Sequence, residues 1–266
     1  MIKKSLAYAF IMFLGLFIVP FAVFARGRHH TPPPVPPPPA VSSPAPSGLT
    51  WGAFTGNSQI LGSYKAVFIG DGDDFTQDFG QYKVPLVVYW ESSMNATQAG
   101  QASFLKTWAS EMKSYPNQII FVPLDEMNGN WSAYYGNPSA FKSAFASIYG
   151  MFHGGNVQVA WDPNNDPSNL MASYFPGTSS VDICGVDGFD FGGQNWQSVF
   201  IGDNAIPTLK SLCPSKPIWI LSTGSVDNQS LFISDMISGA KTYGINGVIY
   251  FDYQQFVIPA STLSQL

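Results

Sequence analysis

Eight short apolar runs recur between residues 51 and 251, and they limit the fold more than any other feature of the chain. They are Trp51–Phe54, Ala66–Ile69, Pro85–Trp90, Ile119–Leu124, Val157–Trp161, Val181–Val186, Pro217–Leu221 and Gly247–Phe251. Each is continuous and does not alternate with polar residues, as expected for strands buried on both faces. Helical patterns lie between several of them. Residues 98–114 place Phe104, Leu105, Trp108 and Met112 on one face, and residues 138–152 do the same with Phe141, Phe145, Ile148 and Phe152. Residues 228–243 place Leu231, Ile233, Met236 and Ile237 together. Strands that alternate with helices pair in parallel through right-handed crossovers. Eight such units over residues 49–266 predict one α/β domain, a (β/α)8 (TIM) barrel near the small end of its class. A doubly wound open sheet is the alternative. It usually opens on a Gly-rich first turn, and none is present.

The residues before the barrel have a different character. Lys3 and Lys4 precede an apolar run, Leu6 to Ala25, that ends in Val23-Phe24-Ala25. A charged start, an apolar centre and a small-residue end predict export, with residues 1–25 a signal peptide or an N-terminal membrane anchor. Residues 5–25 are long enough to tether the protein to a membrane. Residues 26–48 include TPPPVPPPPAVSSPA and read as a disordered Pro-rich linker. The protein is therefore expected outside the cytoplasm, secreted or anchored. In that compartment Cys184 and Cys213 suit a disulfide, and two buried thiols are the other reading.

Charged residues make up only 11% of the chain and the net charge is −5. With no basic cluster beyond the N-terminal arm, nucleic acid is not an expected partner. Aromatic residues at 15% in a chain so poor in charge suit a surface that binds an uncharged polar ligand, such as a polysaccharide or oligosaccharide. A low-charge surface with no ligand is the competing reading. A monomer is expected.

In a barrel, chemistry sits where the strands end. The acids at those ends are Glu91, Asp125, Glu126, Asp162, Asp187, Asp190 and Asp252, and Trp90, Trp131, Trp161 and Trp196 lie near the same rim. The densest segment is Asp125-Glu126-Met127-Asn128-Gly129, closed by Trp131. A glutamate at a strand end protonates a leaving glycosidic oxygen, and an indole offers a flat apolar face to the sugar ring. Helix capping is the alternative, with Asp125 or Asn128 as the cap. No set of His, Cys and carboxylate residues has metal-ligand spacing, and no cofactor is expected. The DGDD turn at 71–74 is too short for a calcium hand and reads as a solvated turn, with a lone calcium as the other option.

Several segments, taken in order, resemble glycoside hydrolase family 26, a family of β-mannanases and related endoglycanases. They are WGAFTG at 51–56, VPLVVYWE at 84–91, PLDEMNGNW at 123–131, VAWDPN at 159–164, YFPG with VDICGVDGF at 174–189, and KPIWILSTGS at 216–225. The resemblance implies a (β/α)8 barrel and a retaining hydrolase acting on β-1,4-linked, mannan-type polysaccharide. It implies Glu126 as acid/base and Trp131 as a sugar-stacking aromatic, with Asn128 in the same motif. It also marks departures. Asp125 stands where the family has histidine, Val122 where it has arginine, and Phe189 where it has tyrosine. The nucleophile glutamate expected at the end of the seventh strand is replaced by Ser222. Three readings follow. One is an active hydrolase in which Glu126 is the acid and Asp252 or Asp190 a second carboxylate activating water, an inverting geometry that needs roughly 6.5–9.5 Å between carboxyls. The others are a glycan-binding pseudoenzyme and a structural cell-envelope domain. Under the first two, Trp131, Asn128, Asp125, Trp90, Glu91, Trp161 and Phe189 line the substrate site.

Overall fold

The computed structural model describes residues 49–165, 170–263 and 266. The signal or anchor segment at 1–25 and the linker at 26–48 lie outside the described residues. Among the described residues no helix is long and apolar enough to cross a membrane.

Eight strands form one closed sheet in sequence order: β1 Thr50–Phe54, β2 Tyr64–Phe68, β3 Leu86–Trp90, β4 Ile119–Pro123, β5 Val157–Trp161, β6 Ile183–Asp190, β7 Ile218–Ser225 and β8 Gly247–Phe251. Every pair is parallel, and β8 pairs with β1 from Thr50↔Gly247 to Phe54↔Phe251 to close the ring. The expected (β/α)8 barrel is therefore the observed fold. The strands β6 and β7 each run four residues beyond the apolar runs that announced them, through Asp190 and Ser225. Their ladder shifts register between Val186 and Asp187 and sets Asp187 beside Ser222. A bulge of this kind re-aims side chains at a barrel rim.

Among the described residues seven α-helices cover the strands: α1 Phe75–Phe79, α2 Ala96–Gly100, α3 Leu105–Ser114, α4 Pro138–Phe152, α5 Met171–Tyr174, α6 Ala205–Leu212 and α7 Gln229–Tyr243. Two helical expectations are corrected. The single pattern over 98–114 is two helices: an Asn95–Gln98 capping box starts α2, and the chain turns at Gln101 before α3 begins. In α7 the buried face is Phe232, Ile233, Met236 and Ala240, while Leu231 is 58% exposed. Positions one, four and eight residues after Phe232 share the apolar stripe, and Leu231 falls off its edge.

Rings that cross the barrel fill its interior. Phe68 on β2 meets Phe251 on β8, and Phe189 on β6 meets the same ring, with centroids 6.5 and 5.9 Å apart. Tyr89 stacks on Phe68 at 4.9 Å, and its hydroxyl donates to the Leu221 carbonyl on β7. The connection from β1 to β2 carries no helix. Lys65 lies buried there and donates to Thr55 Oγ1, Asn57 O and Gln59 O at 2.6, 2.7 and 2.9 Å. Its burial and these acceptors tie the loop to the outer face of the barrel.

Cys184 on β6 and Cys213 at the end of α6 are bridged across 29 residues of sequence. Closing a loop of that length restricts the unfolded chain, worth about 2–4 kcal/mol. Unfolding in denaturant should therefore shift by that amount when a reductant is added. Thiol titration of the unreduced, unfolded protein should find no reactive cysteine.

Candidate active site

The turn after β4 is built on unusual backbone. Leu124 and Glu126 both have positive φ, +56° and +50°, a region that residues other than glycine seldom enter. Such conformations persist only where their surroundings hold them, and they gather at functional sites. Here Leu124 N donates to Trp90 O at 2.9 Å, and Glu126 N donates to Asp162 O at 2.8 Å. The turn is thereby pinned to the ends of β3 and β5.

The Glu126 carboxylate is held at both oxygens. The Trp131 indole N–H donates to Oε2 at 2.9 Å, and Asn164 Nδ2 donates to Oε1. Asn164 is itself locked to Asn128: its N–H donates to Asn128 Oδ1, and Asn128 Nδ2 donates to its carbonyl, both at 2.8 Å. Asn128 is thus a clamp between the loops after β4 and β5. The indole of Trp131 lies over Gly129, where an added Cβ would come within 2.3 Å of the ring, so the close approach requires glycine. Glu126 is half-buried, and burial raises its pKa while the Asn164 and Trp131 hydrogen bonds pull it down. The net direction is upward, toward a carboxylic acid that keeps its proton.

Five of the seven strand-end acids gather around this turn: Glu91, Asp125, Glu126, Asp162 and Asp187. Burial is the largest cause of elevation for each. The charge of Glu126 then raises Glu91, Asp125, Asp162 and Asp187 further. Glu91 is pushed up to about 8. Asp162 and Asp187 lie in one another's field, and the charge of Asp162 pushes Asp187 further up. The Asp162 carboxylate lies against Gly185, where an added Cβ would sit 2.7 Å from Oδ1. Asp71 orients the loop that carries Glu91. It accepts from Trp90 Nε1 at 2.8 Å, from Ser92 Oγ at 3.0 Å and from Ser93 Oγ at 2.9 Å. The rest of the DGDD turn is structural too, since Asp73 accepts from Gly70 N and Asp74 caps α1. Among the described residues no group of three His, Cys, Asp or Glu side chains has the geometry to hold a metal ion.

The remaining two acids are engaged elsewhere. Asp190 accepts from Gly192 N, Gln194 N and Ser225 Oγ. Asp252 accepts from Ile258 N at 2.5 Å and lies in the field of Lys65. Neither is among the charges that raise the cluster, which argues against either as the second carboxylate. Ser222 is 7% exposed, in register with Asp187.

The rim tryptophans also need correction. Trp90 and Trp161 are completely buried and offer no face to a ligand. Trp90 packs edge-on against Phe104 and Trp108 at 5.7 and 5.5 Å, and Trp161 packs on Phe175 at 5.0 Å. Trp196 is buried against Phe200 and Tyr243. The reason is strand alternation: in Trp90-Glu91 and Trp161-Asp162 the acid turns inward, so the preceding tryptophan faces the helices. Of the four, Trp131 alone stands half-exposed at the site. Phe189 does reach the mouth, in contact with Phe191, Phe251 and Phe256. Sequence reasoning passed over Asn164; its signal is the strand-end segment WDPN at 161–164, parallel to the DEMN segment one strand earlier.

A family model described as glycosyl hydrolase family 26 matches residues 77–211, which span Glu91, the Glu126 turn, Asn164 and Asp187 but stop short of Ser222. No curated protein sequence matches the chain. Solved structures do. A family 26 β-mannanase from Bacteroides ovatus is 12% identical, with 77% of each chain covered and a TM-score of 0.56. The family 26 domain of an endo-β-mannanase/endo-β-glucanase from Prevotella bryantii is 13% identical, covers 83% of this chain and 88% of that one, and has a TM-score of 0.57. A family 26 protein from Muricauda is 16% identical over 79% of this chain and 77% of that one, with a TM-score of 0.55.

The acid cluster sets the sign of the pH dependence of stability. A carboxyl whose folded pKa exceeds its unfolded value binds protons that the unfolded chain has released, so stability falls as pH rises through that window. For Glu91 the window runs from 4.5 to about 8, and Asp125, Asp162 and Asp187 shift in the same direction. The melting temperature should be highest near the acid end of that range and fall toward its upper end. Glu91→Gln should flatten part of the slope, and a profile rising across the same range would contradict the clustering.

Proposed function

The chain belongs to glycosyl hydrolase family 26, and from that premise we propose that it is an exported protein whose barrel mouth binds and cleaves a β-1,4-linked, mannan-type polysaccharide, with Glu126 as the general acid. The observation that carries this reading is the setting of Glu126. Its carboxyl is half-buried, biased toward protonation, and held by Trp131 and by Asn164, which Asn128 clamps. A general acid must arrive protonated and aimed at the leaving oxygen, and both conditions are favoured here. Trp131, whose N–H bonds the acid, brings an indole face next to the scissile position. Asp125 supports the turn from below, since Tyr134 donates to its carbonyl at 2.8 Å. Glu91, on the adjacent strand end, lies within the field of Glu126, but its carboxyl is pushed up to about 8 and keeps its proton near neutrality, so it is a second acid and not the base that activates water.

A second reading is a glycan-binding protein without turnover. It is favoured by Ser222, which provides no carboxylate on β7; the carboxyl beside it, Asp187, is biased by burial toward its protonated form, and a serine without an active base is a poor nucleophile toward an anomeric carbon. Export rests on the character of residues 1–25 and would be tested by fractionation of the source cells.

Reducing-end release from β-mannan, β-glucan and xylan separates the two readings. Under the hydrolase reading mannan is cleaved, and Glu126→Gln lowers the rate by at least about 100-fold, the scale of one general acid. Under either reading Trp131→Ala weakens oligosaccharide binding by about 1–3 kcal/mol, one lost aromatic face. Binding without reducing-end release would leave the pseudoenzyme. Inverted configuration in the first-formed product would show direct attack by water.

A further inference from the structure

The mouth of the barrel collects carboxyl groups, and among the described residues no cation is among the charges that act on them. The segment from residue 49 to 266 contains no arginine; Arg26 and Arg28 are the chain's two, and both precede it. Its single histidine, His153, sits at the end of α4 against Asp182, 2.9 Å away. Its buried lysine, Lys65, is spent on Thr55, Asn57 and Gln59. Lys83, Lys113 and Lys210 donate to backbone carbonyls of exposed turns and helix ends. No positive group is among the influences on Glu91, Asp125, Glu126, Asp162 or Asp187. The other titratable groups near them are Tyr89, Tyr134 and Asp71, which add no positive charge.

The cluster is also short of donors. Both side-chain oxygens of Asp162, and Oδ1 of Asp125 and of Asp187, are buried without a hydrogen-bond donor, although these residues are 1%, 3% and 3% exposed. Buried acceptors of this kind are expensive unless a proton or a cationic donor reaches them. A metal ion is the obvious candidate, but the described carboxylates lack metal-holding geometry. An ammonium group has different demands. It brings three N–H donors on one nitrogen, makes hydrogen bonds of ordinary length, and tolerates irregular acceptor placement.

We propose that the glycan bound in this mouth carries a free amine: one sugar of a β-1,4-linked chain is a 2-amino-2-deoxy sugar whose ammonium group docks against Glu91 and the acids beneath it. The proposal rests on the reading of the mouth as a glycan site and names the class of sugar. Glu91 and Glu126 are the half-buried members, so they form the entrance, and Asp125, Asp162 and Asp187 supply the field below. An N-acetyl group removes the charge and adds bulk. A neutral hexose provides hydroxyls but leaves the carboxylates uncompensated. Docking an ammonium favours the charged form of every neighbouring carboxyl, so protons leave the cluster as the ligand enters.

Calorimetric titration at about pH 6.5 and 0.15 M salt, where long-range attraction is screened, tests this. The probes are the glucosamine hexamer, its fully N-acetylated counterpart, mannohexaose and hexalysine, each added to the wild-type protein. The glucosamine hexamer should bind at least about tenfold tighter than the other three. Its heat should differ between buffers of different ionisation enthalpy, reporting proton release, and Glu91→Gln should abolish most of the preference. Mannohexaose binding as tightly as the glucosamine hexamer overturns the amine and leaves the glycan site standing. Hexalysine binding equally well, or an absence of proton release, reduces the attraction to net charge and overturns the proposal. Failure of all the sugars to bind overturns both.

Discussion

The alternation of side chains along a closed parallel sheet is the constraint from which the rest of this site follows. At the end of each strand one residue turns into the barrel and the next turns out toward the helices. Trp90 and Glu91, and Trp161 and Asp162, are neighbours in sequence that end on opposite sides of one wall. The outward tryptophans weld helices to the barrel: Trp90 sits between Phe104 and Trp108 of the α3 region. The inward acids are forced into one another's company. Closure by the β1–β8 pairing gives them no edge along which to separate.

Crowding has a cost that the structure meets by protonation. Carboxyls that lose water and gain like-charged neighbours hold their protons to higher pH, as Asp162 and Asp187 do. Glu126 is the member given compensating donors, from Trp131 and Asn164. That difference in treatment within one cluster is how a set of similar acids acquires distinct roles. The opposite wall of the mouth, with Phe54, Phe68, Phe189 and Phe251, is apolar, so the site is polarised across its width. A ligand with one charged and one flat apolar aspect suits both walls.

The backbone contributes as well. The left-handed turn at Leu124 and Glu126 and the shifted register before Asp187 are both departures from regular strand geometry at the carboxyl end of the barrel. Regular strands elsewhere carry the stability, and the irregular ends carry the chemistry.

The sequence by itself determined the barrel. Eight continuous apolar runs, spaced by helical patterns, have few other ways to bury themselves, and all eight strands begin within two residues of the run that marked them. It also marked Glu126, Trp131 and Asn128, because strand-end chemistry is local: a strand, a turn and a side chain three to five residues on are fixed together. Tertiary structure decided which acids meet. Asp190 and Asp252 stand at strand ends as clearly as Glu91 and Asp187 do, yet hydrogen bonds to Gly192 and Gln194, and to Ile258, draw them off. Asn164 joins Glu126 from 38 residues away. Which face a strand-end residue takes depends on register and on bulges such as the one before Asp187, and these are set by pairing with a neighbouring strand, which a single run of sequence does not contain.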